Sequence, residues 1–415
     1  MVDEIIFMVP WPITARDVSK FGLEYLKGAG FGVRVFDLSM LLNKDALRRH
    51  PSVLKEAVDG GYAQRFASYR GLDAGIKEAA PCAAFMDYLT GPNGIDYPTE
   101  RVYRLLKIHG ARYYIVSSGP LPYSGIDAEP GPGRRLSMRL RRAADPKKLL
   151  GFLARRVIRV LTRRAIAYPL PAGIFSGESG TLERYLAWSG MDRSCVVPIH
   201  SFDHDAYLGY MRGIGFNAPR SERICVFIDE AATRHPDFAI LGIRPIGEER
   251  YFKSMNAFFD MIEKKTGLRV VIAAHPRANY EDTPNAFGNR EMIKGKTIEL
   301  AARSSMVVAH SSTAVSFAVL FDKPLILAKT QEMVERRADG LIDAMAAALG
   351  VVSVNIDDAS ATDRLSLAPS AHKGKRFEAY KYQYVKSRAA SDATTWEIVA
   401  QHLRDAPGRG KTLVS

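Results

Sequence analysis

Two uninterrupted apolar runs restrict this chain more than anything else in it. Val270-Val271-Ile272-Ala273-Ala274 stops at His275, and Met306-Val307-Val308-Ala309 stops at His310. A strand with one wet face alternates apolar and polar residues, whereas a continuous apolar run belongs to a strand covered on both faces of a parallel sheet. After each run the chain turns polar or starts a helix, as buried strands do when their carboxyl ends open onto a ligand cleft.

The remaining segments fall into place around these runs. Residues 4–9 predict a strand ended by Pro10 and Pro12, 15–29 a helix closed by glycines, and 33–38 a second strand. This strand–helix–strand opening implies a parallel α/β sheet. No Gly-x-Gly-x-x-Gly follows the first strand, which argues against a dinucleotide site. Residues 40–100 read as mostly helical, with further strands at 113–117, 172–176 and 195–199. At 415 residues the chain exceeds one compact core. The segment 211–222 reads as the linker, giving domains 1–215 and 216–415. In the second, a strand at 224–228 and a helix at 250–265 precede the two apolar runs; a strand at 351–354 and a helix near 392–404 follow. The expected fold class is therefore α/β, two Rossmann-like domains facing each other across a cleft.

No apolar run approaches the roughly 20 residues that span a bilayer, and the acidic start Met1-Val2-Asp3-Glu4 does not read as a signal peptide. Cys82, Cys195 and Cys225 are too widely spaced for a disulfide or zinc framework, so a cytoplasmic protein is expected. The net charge of +13 is concentrated: residues 134–164 hold twelve Lys/Arg against Asp145 alone. Within 147–164, apolar and basic residues alternate as in a helix lying on an anionic membrane surface. A solvated surface helix is the plainer alternative. Nucleic acid is disfavoured, because only Phe152 is interleaved to stack a base.

Three predicted strand ends in the second domain carry chemistry: Asp229-Glu230, His275-Pro276-Arg277 and His310-Ser311-Ser312-Thr313. Hydroxyls and backbone N–H groups at 311–313, opening a helix, suit a phosphate. Thr297, beside Lys294 and Lys296, offers a second such place, and His275 and Arg277 add donors that can neutralise a phosphate leaving group without a metal. Taken singly, Ser312 and Thr297 read better as helix caps; taken together, with His-Pro and His-Ser-Ser-Thr on neighbouring strand ends of one domain, the functional reading wins. In the first domain, Gly177-Glu178-Ser179-Gly180 is a small-residue loop, and His200–Asp205 reads as a turn rather than a metal site.

These residues resemble a family. The run 270–329 looks like the C-terminal domain of GT-B-fold bacterial glycosyltransferases acting on CMP-activated acidic sugars, the sialyltransferases and Kdo transferases of surface-polysaccharide assembly. The resemblance implies that His275-Pro276 and Ser311-Ser312, with Thr313, hold the nucleotide and its phosphate. It implies a CMP-sugar donor rather than a cofactor and a glycan or lipid-linked acceptor; the basic segment 134–164 adds the expectation of a peripheral position on the inner face of the cell membrane. The family's base is a carboxylate, often in an acidic doublet near a glycine. Asp229-Glu230 is a doublet without that glycine, and Glu178 is its rival. The one Asp-x-Asp triplet, Asp203-His204-Asp205, falls in the stretch read as a turn rather than a metal site, and metal-independent transfer is expected. A UDP- or GDP-sugar donor, a CDP-polyol donor and a non-catalytic assembly role are the alternatives.

Overall fold

The computed structural model describes the chain except residues 1, 50–56, 59, 90–96, 119–120, 123–169, 178–179, 216–220, 236–237, 239–243, 368–373 and 406–415. The basic segment 134–164 and Glu178 lie outside the described residues.

Strands β1 (Glu4–Val9), β2 (Gly32–Asp37), β3 (Ala63–Arg65), β4 (Ala83–Asp87), β5 (Arg112–Ser117), β6 (Gly173–Ser176) and β7 (Val196–Pro198) form a parallel sheet ordered β3-β2-β1-β4-β5-β6-β7. A second parallel sheet joins β8 (Ile224–Ile228), β9 (Arg269–Ala274), β10 (Met292–Lys294), β11 (Met306–Ala309), β12 (Leu325–Lys329) and β13 (Ser353–Asn355), ordered β10-β9-β8-β11-β12-β13. In both, the strand order reverses beside the first strand. That reversal is the switch point at which open α/β sheets take their ligands.

Helices α1 (Ala15–Lys20), α2 (Leu23–Gly28), α3 (Phe202–Ile214), α4 (Glu248–Thr266), α5 (Thr297–Arg303), α6 (Val315–Leu320) and α7 (Thr395–Asp405) bear most directly on the site and on the joint between the domains. α4 buries Tyr251, Phe252, Met255, Phe258, Phe259 and Ile262 along one stripe, as its three- and four-residue spacings require. Acidic residues open it, lysines close it, and Gly267 ends it at φ 65°.

Two departures from the sequence expectations share one cause. The helix expected over 15–29 breaks at Gly22, which takes φ 57°. The unit expected to run to the end of the chain gives up its last helix: Trp396, Val399, Ala400 and Leu403 of α7 belong to the first domain's core, with Ile5, Phe7 and Phe21. The break lets Trp396 in. A Cβ on Gly22 would lie 2.5 Å from the indole Cδ1, and the indole N–H donates to Lys20 O at 2.8 Å.

The domains are joined along α3, which continues from β7. Tyr207 and Tyr210 of α3 pack edge-on against Phe321 at the end of α6, at 5.2 and 5.8 Å between ring centroids. The His200–Asp205 stretch begins this helix, Ser201 capping it through His204 N at 3.2 Å. Among the described residues no helix is long and apolar enough to cross a membrane.

Candidate functional site

β8 lies between β9 and β11, with Ile228 level with both Ala273 and Ala309. The next residues along, Asp229-Glu230, His275 and His310-Ser311, therefore stand abreast. At about 4.8 Å per strand the outer two are roughly 10 Å apart. Three of the polar strand ends marked in the sequence thus meet at the switch point of the second sheet.

Asp229 is 3% exposed and both its carboxylate oxygens are engaged. Oδ1 accepts from Ala231 N at 2.9 Å; Oδ2 accepts from the Tyr280 hydroxyl at 2.7 Å and from His275 N at 3.1 Å. This corrects the expectation of a base at Asp229: the carboxylate braces the His-Pro turn. Tyr280→Phe should cost about 1–3 kcal/mol in urea denaturation, because it strips a donor from a buried anion. An unchanged midpoint would remove the bracing role.

Glu230 is the doublet member that faces the turn after β11. It accepts from the Ser311 backbone N–H, from the Ser311 hydroxyl at 3.1 Å, and from the Ser312 N–H. Burial pushes its carboxyl up to about 7, against the pull of the Ser311 donors. The following residue, Ala231, takes φ 53° with its side chain fully buried. That is the left-handed conformation a glycine would favour, so the glycine missing from the doublet is replaced by a strained alanine.

The turn at 311–313 binds anions, and the ones it holds are the chain's own. Ser311 serves Glu230, and Ser312 Oγ accepts from Ala314 N at 3.2 Å. Hydroxyls of Thr313 and Ser316 hydrogen-bond to Asp203 of α3, across the domain joint, where burial raises that carboxyl's pKa. Lys20 of α1 lies beside it, its ammonium 5.2 Å from the Phe202 ring centroid. Crowding around its side chain lowers the Lys20 pKa, with Arg16 adding to the effect and Asp17 and Asp203 opposing it.

His275 is half-buried; its Nδ1 accepts from Arg277 N at 3.2 Å, so the neutral ring carries its proton on Nε2. Pro276 is exposed and Arg277 half-buried on the same turn. His310 is corrected as a ligand group. It is 1% exposed, with Nδ1 donating to Ala328 O at 2.6 Å and Nε2 accepting from the Tyr251 hydroxyl at 2.9 Å. Both ring nitrogens serve the core, and burial holds the imidazole neutral.

Lys294 and Thr297 stand apart from this group. The Lys294 ammonium donates to Ala278 O at 2.6 Å and ties β10 to the loop after His275. Thr297 is the first residue of α5, beyond the edge strand, and does not cap it. Among the described residues no group of three or more His, Cys, Asp or Glu side chains is placed to hold a metal ion.

One neighbour of His275 escapes the sequence reading. His235, in the loop after β8, packs its ring 4.7 Å from that of His275 at 58°. A signal was present: of the chain's three His-Pro dipeptides, two lie in the second domain, His235-Pro236 one strand before His275-Pro276.

No protein family matches this chain, and no curated protein does. Solved structures match along nearly its whole length. Os79 from O. sativa, in complex with UDP, gives a TM-score of 0.50 at 11% identity over 96% of this chain and 99% of that one. The wall teichoic acid polymerase TagF, as a variant soaked with CDPG, gives 0.48 at 10% over 97% and 89%. Methanocaldococcus jannaschii UDP-GlcNAc 2-epimerase, in complex with UDP-GlcNAc and UDP, gives 0.46 at 11% over 97% and 100%. At such identities the likeness concerns the fold alone.

Proposed function

We propose that this GT-B-fold chain is a glycosyltransferase moving an acidic, nonulosonic-type sugar, sialic acid- or Kdo-like, from a CMP donor to a glycan or lipid-linked acceptor. The observation that carries this reading is the meeting of Glu230, His275 and the 311–313 turn at the switch point of the second sheet. A polar cleft at the ends of buried parallel strands is where this architecture takes a nucleotide. Os79, solved with UDP, supplies a precedent for a pyrimidine nucleotide on this fold.

In the proposed reaction the acceptor oxygen bonds to the anomeric carbon as that carbon's bond to the donor phosphate breaks. Glu230, held by Ser311 and titrating near neutrality, takes the acceptor's proton. His275 and the Ser312 hydroxyl, which unlike that of Thr313 is not committed to Asp203, receive the charge that develops on the departing CMP. Residues 134–164 would hold the enzyme on anionic lipid at the inner face of the membrane; co-sedimentation indifferent to salt and to anionic lipid would remove that part.

Thermal shift with CMP, UDP, GDP and CDP-glycerol tests the donor. Stabilisation by CMP that His275→Ala abolishes is expected. Stabilisation by another of these nucleotides but not CMP would reassign the donor, and stabilisation by none would favour a non-catalytic assembly role.

A further inference from the structure

The loops leaving β8 and β9 are stapled together twice. Asp229 receives His275 N and the Tyr280 hydroxyl, as described. Arg234 donates to Asn279 O at 2.6 Å, to the Thr283 hydroxyl at 3.0 Å and to Glu248 at 2.7 Å, and its guanidinium lies 5.0 Å from the Tyr280 ring centroid. These staples do not involve either imidazole. Yet they fix His235 and His275 against each other, both half-buried, on the switch-point side of the sheet. A contact needed only for packing is better made by apolar side chains, which carry no desolvation cost. In the same loop, two residues before His235, the buried Thr233 hydroxyl has no hydrogen-bond partner among the described residues. Groups of that kind call for an explanation.

We infer that His235 is a second ligand residue of this cleft, and that His235 and His275 together hold one phosphate oxyanion through their ring N–H groups. A single neutral imidazole offers one donor, and Arg277 N already fixes which nitrogen of His275 that is. A second imidazole at 4.7 Å adds another, and protonation of either ring turns the contact into a charge-assisted one. The inference deepens the donor-site reading and depends on it only for the identity of the anion.

Isothermal titration at pH 6.5 tests it, with CMP and inorganic phosphate as separate probes of the full-length protein and of His235→Gln. His235→Gln should weaken CMP at least about tenfold, as loss of a charge-assisted hydrogen bond does. In the unsubstituted protein, the proton resonance on the His235 ring carbon between its nitrogens, identified by its loss in the variant, should move on CMP addition. Circular dichroism checks the fold, with His235→Asn as the second variant. Equal CMP affinity in variant and parent, with an unmoved resonance, would overturn the inference and leave the CMP-donor reading standing. Phosphate binding lost in the variant, with CMP bound no better than phosphate, would keep the inference and remove the CMP donor. Binding of neither probe would overturn it.

Discussion

Glu230→Gln should raise stability above neutral pH while removing most of the activity. The Glu230 carboxyl titrates at about 7 in the fold against 4.5 as its ordinary value, so the folded chain holds that proton more tightly than the unfolded one. Its favourable contribution is complete below about pH 4.5 and is lost as the pH rises through about 7. Glutamine does not titrate. At pH 8 the variant should therefore be more stable by on the order of 2 kcal/mol, and the difference should vanish near pH 4. With a CMP-sugar substrate, kcat should fall by about 10²–10⁴, the usual range for a lost general base, with CMP binding retained. Stability bought at the expense of turnover marks a group kept for chemistry. Unchanged kcat in Glu230→Gln, with loss in Glu178→Gln, would move the base to the first domain.

Trp396→Ala is the second large effect, and it concerns how the chain's last described helix is held to the first domain. The indole sits between Gly22, Phe7 and Phe202, at 5.2 Å from the Phe7 ring centroid and 6.2 Å from that of Phe202. It supplies the hydrogen bond to Lys20 O and anchors the chain's last described helix to the first domain. Truncation leaves a cavity in a core and an unpaired carbonyl, at a cost of about 3–5 kcal/mol. Circular dichroism in urea should show the first transition displaced to lower denaturant. A displacement equivalent to less than about 1 kcal/mol would mean that α7 is held by other contacts.

The second domain was far more legible in the sequence than the first. β8, β9 and β11 are β-branched runs with polar ends, and pattern alone places them. β4 was hidden inside a segment read as helical, because Ala83-Ala84-Phe85-Met86-Asp87 consists largely of residues content in a helix. Pairing with β1 and β5 decides the matter, and no local window contains that. The return of α7 was invisible for the same reason, since Trp396 meets Gly22 across most of the chain. Within the site, Glu230, His275 and the 311–313 turn were marked by their places at strand ends. Sequence does not tell which of two adjacent carboxylates points into the sheet, nor that His310 is consumed by Ala328 and Tyr251. His235 was overlooked because its dipeptide follows no apolar run of its own; the loop that carries it is shaped by Arg234 and Asp229.

A crystal structure after diffusion of CMP tests the central claim most directly. The account places the CMP phosphate at the carboxyl ends of β8, β9 and β11, within hydrogen-bonding distance of His275 and of the Ser312 hydroxyl. CMP bound instead at the switch point of the first sheet, between β1 and β4, would contradict it.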